Sequence, residues 1–341
     1  GSRSTKSETN IYVEGIETWG DLRLVSLSGA LNSTAGPLEV PDHLPKTVTN
    51  LSYLLHESFV SQDINIGDWD TSNITDMSYM FLGAVNFDGD ISNWDTSNVR
   101  NMSHMFAGAE EFNGNISNWN TSNVTDMSSM FYGAKSFIGD ISSWDVSSVK
   151  DMSSMFRGAE NFDQNLSSWD VSSVENMSFM FADAINFNGD ISNWDTSKVK
   201  DMSHMFRGTE NFNQDLSSWD TSSVENMSWM FYDTKGFNGN ISSWDTTKVT
   251  DMSFMFYEAV NFNQSLTRNG NIWNTENVEN MSFMFREAVK FNGDISNWDT
   301  SNVKNMSYMF REAVEFNGDI SNWNVSSVKD MSYMFYEAVK F

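Results

Sequence analysis

The sequence predicts an α/β repeat solenoid in which each coil carries a short strand in a parallel sheet and a short helix on the opposite side. Three observations predict it. Tryptophan recurs every 25 residues at Trp69, Trp94, Trp119, Trp144, Trp169, Trp194, Trp219 and Trp244, and after one slip at Trp273, Trp298 and Trp323. All 22 Met lie eight or eleven residues after one of these Trp. Each unit also contains a helical spacing of apolar residues. Columns fixed in this way mean that every side chain stacks on its copy in the next coil, the mark of a quasi-one-dimensional array.

With Trp as position zero, the unit opening on Trp94 has Met102, Met105, Phe106 and Ala109 at plus eight, eleven, twelve and fifteen. These are i, i+3, i+4 and i+7, one face of a helix of about two turns. Asp or Asn precedes the first Met in every unit, as at Asp76, Asn101 and Asp126, where a helix N-cap belongs. Gly83, Gly108, Gly133 and Gly158 mark the helix stop, a place that Glu258, Glu287, Glu312 and Glu337 take in later units. Asn-Gly pairs follow at Asn113-Gly114, Asn188-Gly189 and Asn238-Gly239, a turn signal. A segment such as Asp190 to Trp194 then supplies the predicted strand. Strands repeat every ~4.8 Å while packed helices need about 8–10 Å, so the predicted array curves with helices on the convex side.

Three segments are expected. Residues 1–10 read as a disordered tail with a cloning scar at Gly1-Ser2. Residues 11–68 read as an N-terminal cap of two degenerate repeats, in which Leu27, Leu31, Leu51, Leu54 and Leu55 replace Met and Phe. The cap also includes Ile16 and Trp19, and its prolines Pro37, Pro41 and Pro45 lie in the loop between the two units. Terminal repeats differ from the rest because one side of them faces water. Residues 69–341 form eleven repeats with a four-residue insertion near 267–272, and the last repeat breaks off at Phe341. That break suggests a fragment whose parent carries the anchor.

Composition narrows the function. A net charge of -26 opposes nucleic acid and anionic membrane surfaces. There is no Cys, hence no disulfide and no thiolate nucleophile. No apolar run is long enough to insert into a bilayer.

Strings such as WDTSNVRNMSHMFAGAEEF (Trp94 to Phe112) and WNTSNVTDMS (Trp119 to Ser128) resemble the 25 to 26-residue repeats of bacterial surface proteins and mycoplasma-type surface lipoproteins, a group related to BspA-like leucine-rich repeats. The resemblance implies leucine-rich-repeat-like coils displayed on a cell surface, with roles in adhesion, and it brings no catalytic residue. This chain departs from ordinary leucine-rich repeats in using Met, Phe and Trp where Leu is usual.

Among candidate sites, a Met column at helical spacing is read as core rather than as a soft-metal site. The Asp column after Trp, including Asp95, Asp145, Asp170, Asp195 and Asp220, places like charges one coil apart, and calcium would relieve their repulsion. Asn stands in the same column at Asn120, Asn274 and Asn324, which favours a turn role, so no cofactor is expected. The four His do not form a pair at metal spacing. Thr71, Thr96, Thr121, Thr196, Thr221 and Thr246 form a row that suggests ice binding as a remote reading. A polysaccharide-cleaving enzyme needs a unique acid and base, whereas every carboxylate here is repeated.

The informative columns are those that vary. Plus ten carries Tyr79, Phe179, Trp229, Phe254, Phe283, Tyr308 and Tyr333, and plus thirteen carries Tyr232, Tyr257, Arg286, Arg311 and Tyr336. Tyr, Trp and Arg are the residues enriched at binding hot spots. The expectation is an extracellular interaction or adhesion module that binds a protein or glycan through this stripe. The alternative is a purely structural stalk or spacer. On the binding reading, Ser in place of Trp229, Tyr308 and Tyr333 should remove binding and leave stability nearly unchanged.

Overall fold

The computed structural model describes residues 18–19, 23–33, 39–58, 64–268 and 271–341. The expected tail at 1–10 lies outside the described residues, as do Ile16 and Pro37 of the expected cap. The repeat solenoid is present, but its α/β content is not. Among the described residues there is no helix, and the only strands are β1 (Thr267–Arg268) and β2 (Asn271–Ile272). They pair antiparallel as a hairpin within the insertion, outside the repeat pattern.

Backbone hydrogen bonding explains why no helix forms. In the coil opening on Trp94, Met105 N donates to Met102 O at 3.2 Å, Ala107 N to His104 O at 3.1 Å and Ala109 N to Phe106 O at 3.0 Å, each closing a tight turn. The alternate N–H groups point sideways. Met102, His104, Phe106 and Gly108 donate to the carbonyls of Asp126, Ser128, Met130 and Tyr132 in the next coil, at 3.1, 2.9, 2.9 and 2.6 Å. An α-helix would send all of them back along its own axis. His104 at φ 56° and Gly108 at φ 69° are left-handed. Each is the third residue of a turn, the position where a type II turn requires positive φ. The i, i+3, i+4, i+7 spacing therefore belongs to the inward corners of successive turns. The predicted curvature rested on helix packing and does not survive its loss.

Pairing between coils also lies elsewhere than predicted. Single parallel bridges join Asp76 to Asn101, Asn101 to Asp126 and onward to Asp330, all at plus seven. The expected strand Asp190 to Trp194 is instead a turn closed by Trp194 N on Ile191 O at 3.3 Å. The predicted N-caps act as turn residues, with Ser78 N donating to Asp76 Oδ1 and Ser103 N to Asn101 Oδ1, both at 2.9 Å. Either residue type supplies that acceptor, which is why Asp and Asn interchange. The Asn of Asn-Gly bridges coils rather than making a turn, since Ile138 N donates to Asn113 Oδ1 at 3.0 Å.

The interior consists of stacked columns. Trp94 lies parallel to Trp119 at 6.3 Å, Phe106 to Phe131 at 5.6 Å and Phe112 to Phe137 at 6.0 Å. Within one coil Phe106 and Phe112 stack at 3.9 Å. The indole of Trp94 donates to Ile66 O of the preceding coil at 2.9 Å, so a large buried ring leaves no polar atom unpaired. Past the insertion, Trp298 Nε1 lacks such an acceptor. One apolar cluster runs from Trp19 to Met334 and takes in Leu27, Leu31, Leu51, Leu54 and Leu55. Leu27 N donates to Asn50 O and Leu51 N to Asp76 O, so these units share the ladder of the full repeats.

Candidate functional site

The turn geometry decides how the plus-ten side chains are presented. Every one of them, from Tyr79 at φ 59° through Trp229 at φ 61° to Tyr333 at φ 54°, sits on left-handed backbone, which costs an L-residue about 1–2 kcal/mol. Lateral hydrogen bonds and ring stacking offset that cost. Tyr53, Tyr79 and His104 form a short stack with successive centroids 4.4 Å apart. Ser129 and Ser154 interrupt the column, and a second stack runs without a break from Phe179 to Tyr333. Its spacings are 4.0 Å for Phe179 to His204, 5.3 Å to Trp229, 3.9 Å to Phe254, 4.4 Å to Phe283, 4.6 Å to Tyr308 and 5.1 Å to Tyr333. Ring faces cover one another. Most of these rings are half-buried, and Tyr333 is exposed.

Plus thirteen lines the same face. Arg286 lies over Tyr257 at 4.9 Å and Phe283 at 5.8 Å, and Arg311 over Tyr336 at 5.1 Å and Tyr308 at 5.8 Å. Tyr232 stacks on Tyr257 at 4.7 Å. Each Arg also pairs with the residue after it, Arg286 with Glu287 and Arg311 with Glu312, at 3.0 Å. The structure thus joins eleven of the predicted residues, from Phe179 to Tyr336, on one face and leaves Tyr79 in the separate short stack. Because Trp229 and Tyr308 stack on both sides and Tyr333 on one, Ser in their place would remove packing as well as a contact surface. The expectation of unchanged stability is therefore replaced by a measurable loss.

His204 is pressed between Phe179 and Trp229, and its Nδ1 has no partner. Burial first, then the nearby Arg207 and Arg157, lower its pKa to about 4. The folded state therefore holds the ring neutral, while the unfolded chain protonates below ~6.5. Stability should fall as pH drops from about 6.5 towards 4, by about 1–2 kcal/mol after allowance for solvent screening. Thermal melts of the parent and His204→Phe across that window test this, and an equal acid loss in both proteins would remove His204 as its source.

The remaining candidates occupy structural roles. Asp95, Asp145, Asp170, Asp195 and Asp220 each accept the backbone N–H of Ser two residues on, at 2.9–3.1 Å. Hydrogen bonds from the Ser172 side chain and backbone hold the Asp170 carboxyl below the usual carboxylate range. Among the described residues no group of three or more His, Asp or Glu is arranged to hold a metal ion. The Thr row is internal, with Thr96 buried and its hydroxyl donating to Asn120 O at 3.0 Å, so it presents no plane to ice. His43 is exposed beside Asp42, and His56 is half-buried against Tyr53.

The sequence reading missed a groove in the last four coils, lined by Glu258, Glu287, Glu312 and Glu337 with Val260, Val289, Val314 and Val339. The exchange of Gly for Glu at plus fourteen was its signal, but the expectation of a helix gave that position to a helix stop.

Fold and face together define a repeat solenoid module, helix-free among the described residues, with constant interior columns and a variable ring-bearing face. The chain matches the family described as "Mycoplasma protein of unknown function, DUF285" over residues 49–168, 152–269 and 266–341, and it belongs to that family. The membership agrees with the bacterial repeat resemblance read from the Trp94 and Trp119 units. No curated protein matches the chain. Among solved structures, an internalin (InlF) from Listeria monocytogenes is similar at 9% identity over 86% of each chain, with a TM-score of 0.24. A chain of the TLR13–ssRNA13 complex is similar at 8% identity with a TM-score of 0.21, covering 82% of this chain and 46% of that one.

Proposed function

We propose that the chain is a non-catalytic cell-surface interaction module that binds a protein through the plus-ten and plus-thirteen face, above all from Trp229 to Tyr336. One observation carries the reading. From Trp229 onward these columns change from coil to coil while remaining half-exposed or exposed, whereas the Met, Phe and Trp columns stay constant and, up to the last coil, buried. Ring edges interleaved with guanidinium groups offer a partner apolar contact and hydrogen-bond donors together. A protein fits better than a glycan, because sugars stack on ring faces and these faces already cover one another.

Ala stands naturally at plus thirteen in Ala107 and Ala182, so that position accepts it. Arg286→Ala/Arg311→Ala/Tyr336→Ala is expected to reduce binding of the labelled chain to animal cells and matrix proteins at least tenfold, with Tm changed by only a few degrees. Undiminished binding by the triple variant would count against this face. The spacer reading is favoured if the parent chain finds no ligand at micromolar concentration.

A further inference from the structure

Beside the ring face, two columns change character together in the last four coils. At plus fourteen the earlier coils carry Gly83, Gly108, Gly133, Gly158 and Gly208, with Asp183 between the last two glycines and Asp233 next to the last four coils, and those four place Glu258, Glu287, Glu312 and Glu337 without interruption. These four hold φ between 58° and 61°, a conformation glycine adopts at no steric cost and glutamate does not. At plus sixteen the earlier coils carry mostly charge, as in the cross-coil pairs of Lys135 with Glu110 at 3.0 Å and Lys235 with Glu210 at 2.8 Å. From Val260 to Val339 that column is entirely valine. The result is an open groove of about 460 Å³ running along the stack, with a valine floor and a carboxylate wall.

The wall is only partly neutralised from within the chain. Arg286 and Arg311 pair with Glu287 and Glu312, but the residues before Glu258 and Glu337 are Tyr257 and Tyr336. Among the described residues, neither Glu258 nor Glu337 has a Lys, Arg or His in an ion pair with it. Burial first, then the neighbouring Glu287 and Asp233, raise the Glu258 pKa against a hydrogen bond from Tyr257 and the charge of Lys235, so a cation placed beside it would favour the ionised form. Val289 and Val339 leave apolar surface open on the floor.

We propose that this groove docks an extended basic segment of a partner protein, with Lys or Arg side chains against the glutamates and aliphatic residues between them on the valines. Charge complementarity selects this occupant. A second copy of a chain with net charge -26 is repelled, and an acidic or purely polar peptide uses one wall or neither.

Fluorescence anisotropy with a labelled ten-residue Lys-Val repeat peptide tests the proposal, with Glu-Val and Lys-Ser peptides as comparisons. The Lys-Val peptide should bind most tightly and weaken as salt is raised. Glu258→Gln/Glu337→Gln and, separately, Val289→Ser/Val314→Ser should each weaken it at least fivefold, with melting temperatures close to the parent's. Asp95→Asn/Asp145→Asn removes the same charge from distant coils and retains the turn acceptor, so it should leave affinity within twofold. Equal weakening by that control would reduce the effect to net charge and overturn the proposal, as would equal binding of the Lys-Ser peptide or unchanged binding by both groove variants. Neither the ring-face variants nor their cell-binding readout enters this test, so either reading fails without the other.

Discussion

Phe181→Ala is expected to lower the free energy of unfolding by about 3–5 kcal/mol. Phe181 is fully buried and stacks on Phe187 at 3.9 Å within its coil, on Phe156 at 5.6 Å and Phe206 at 5.8 Å in neighbouring coils, and on Trp194 at 6.2 Å. Removing the ring opens a cavity at a junction of columns that the fixed lateral hydrogen bonds keep from collapsing. Coils touch only their neighbours, so the damage should stay local. Urea denaturation followed by tryptophan fluorescence should show a lower midpoint, with separation into two transitions as the halves of the stack uncouple. A loss below about 1 kcal/mol would mean that neighbouring coils do collapse into the space, contrary to the close packing argued for this junction.

Gly239→Ala is expected to cost about 3 kcal/mol, the upper end of what overpacking usually costs. A methyl group at Gly239 would overlap the carbonyl oxygen of Gln214 in the preceding coil. The same close approach occurs at Gly189 against Gln164 and at Gly293 against Gln264. In each pair a Gln precedes a Gly by one coil. The side chain of Gln214 reaches back to Asn188 O at 2.7 Å, and those of Gln164 and Gln264 reach back to Ile138 O and Asn238 O. Where Gly follows Gly, as at Gly114 and Gly139, the added methyl would sit 3.4 and 3.8 Å from the preceding carbonyl oxygen. Gln214→Gly should therefore recover part of the loss in the double variant. Recovery is partial because Phe237 also crowds the site. Equal melting temperatures for Gly239→Ala with and without Gln214→Gly would show that the Gln is not what closes the gap.

Much of this was legible in the residues because a repeat prints its interior eleven times. The Trp, Met and Phe columns were assigned to a stacked core on register alone, and each is buried up to the last coil, where Met331 and Phe341 are exposed. Asp and Asn were assigned to turns in the column after Trp, and their carboxylate and amide oxygens do accept backbone N–H groups two residues on. What misled was the spacing of Met102, Met105, Phe106 and Ala109. A helix face and the inner corners of consecutive turns produce the same i, i+3, i+4, i+7 pattern, and periodicity does not distinguish them. The discriminating fact is where the backbone N–H groups go, and half of them go to another coil. Bulky residues at plus ten gave no warning of positive φ, since such residues rarely adopt it outside an assembly that holds them there.

The same division holds for the binding face. Register and composition alone establish that this chain is a stack of repeated coils with a net charge of -26, that its large apolar residues line the stack, and that plus ten and plus thirteen vary in aromatic and Arg content from unit to unit. Those are properties of register and composition, which survive any local conformation. Only the tertiary structure decided that the coils are built from turns rather than helices and strands, that the plus-ten rings spend their faces on one another, and that Glu258 and Val260 begin a continuous groove. Each of these depends on the position of the neighbouring coil, because half of the backbone N–H groups in the turns and the stacked rings of each column find a partner about 25 residues away.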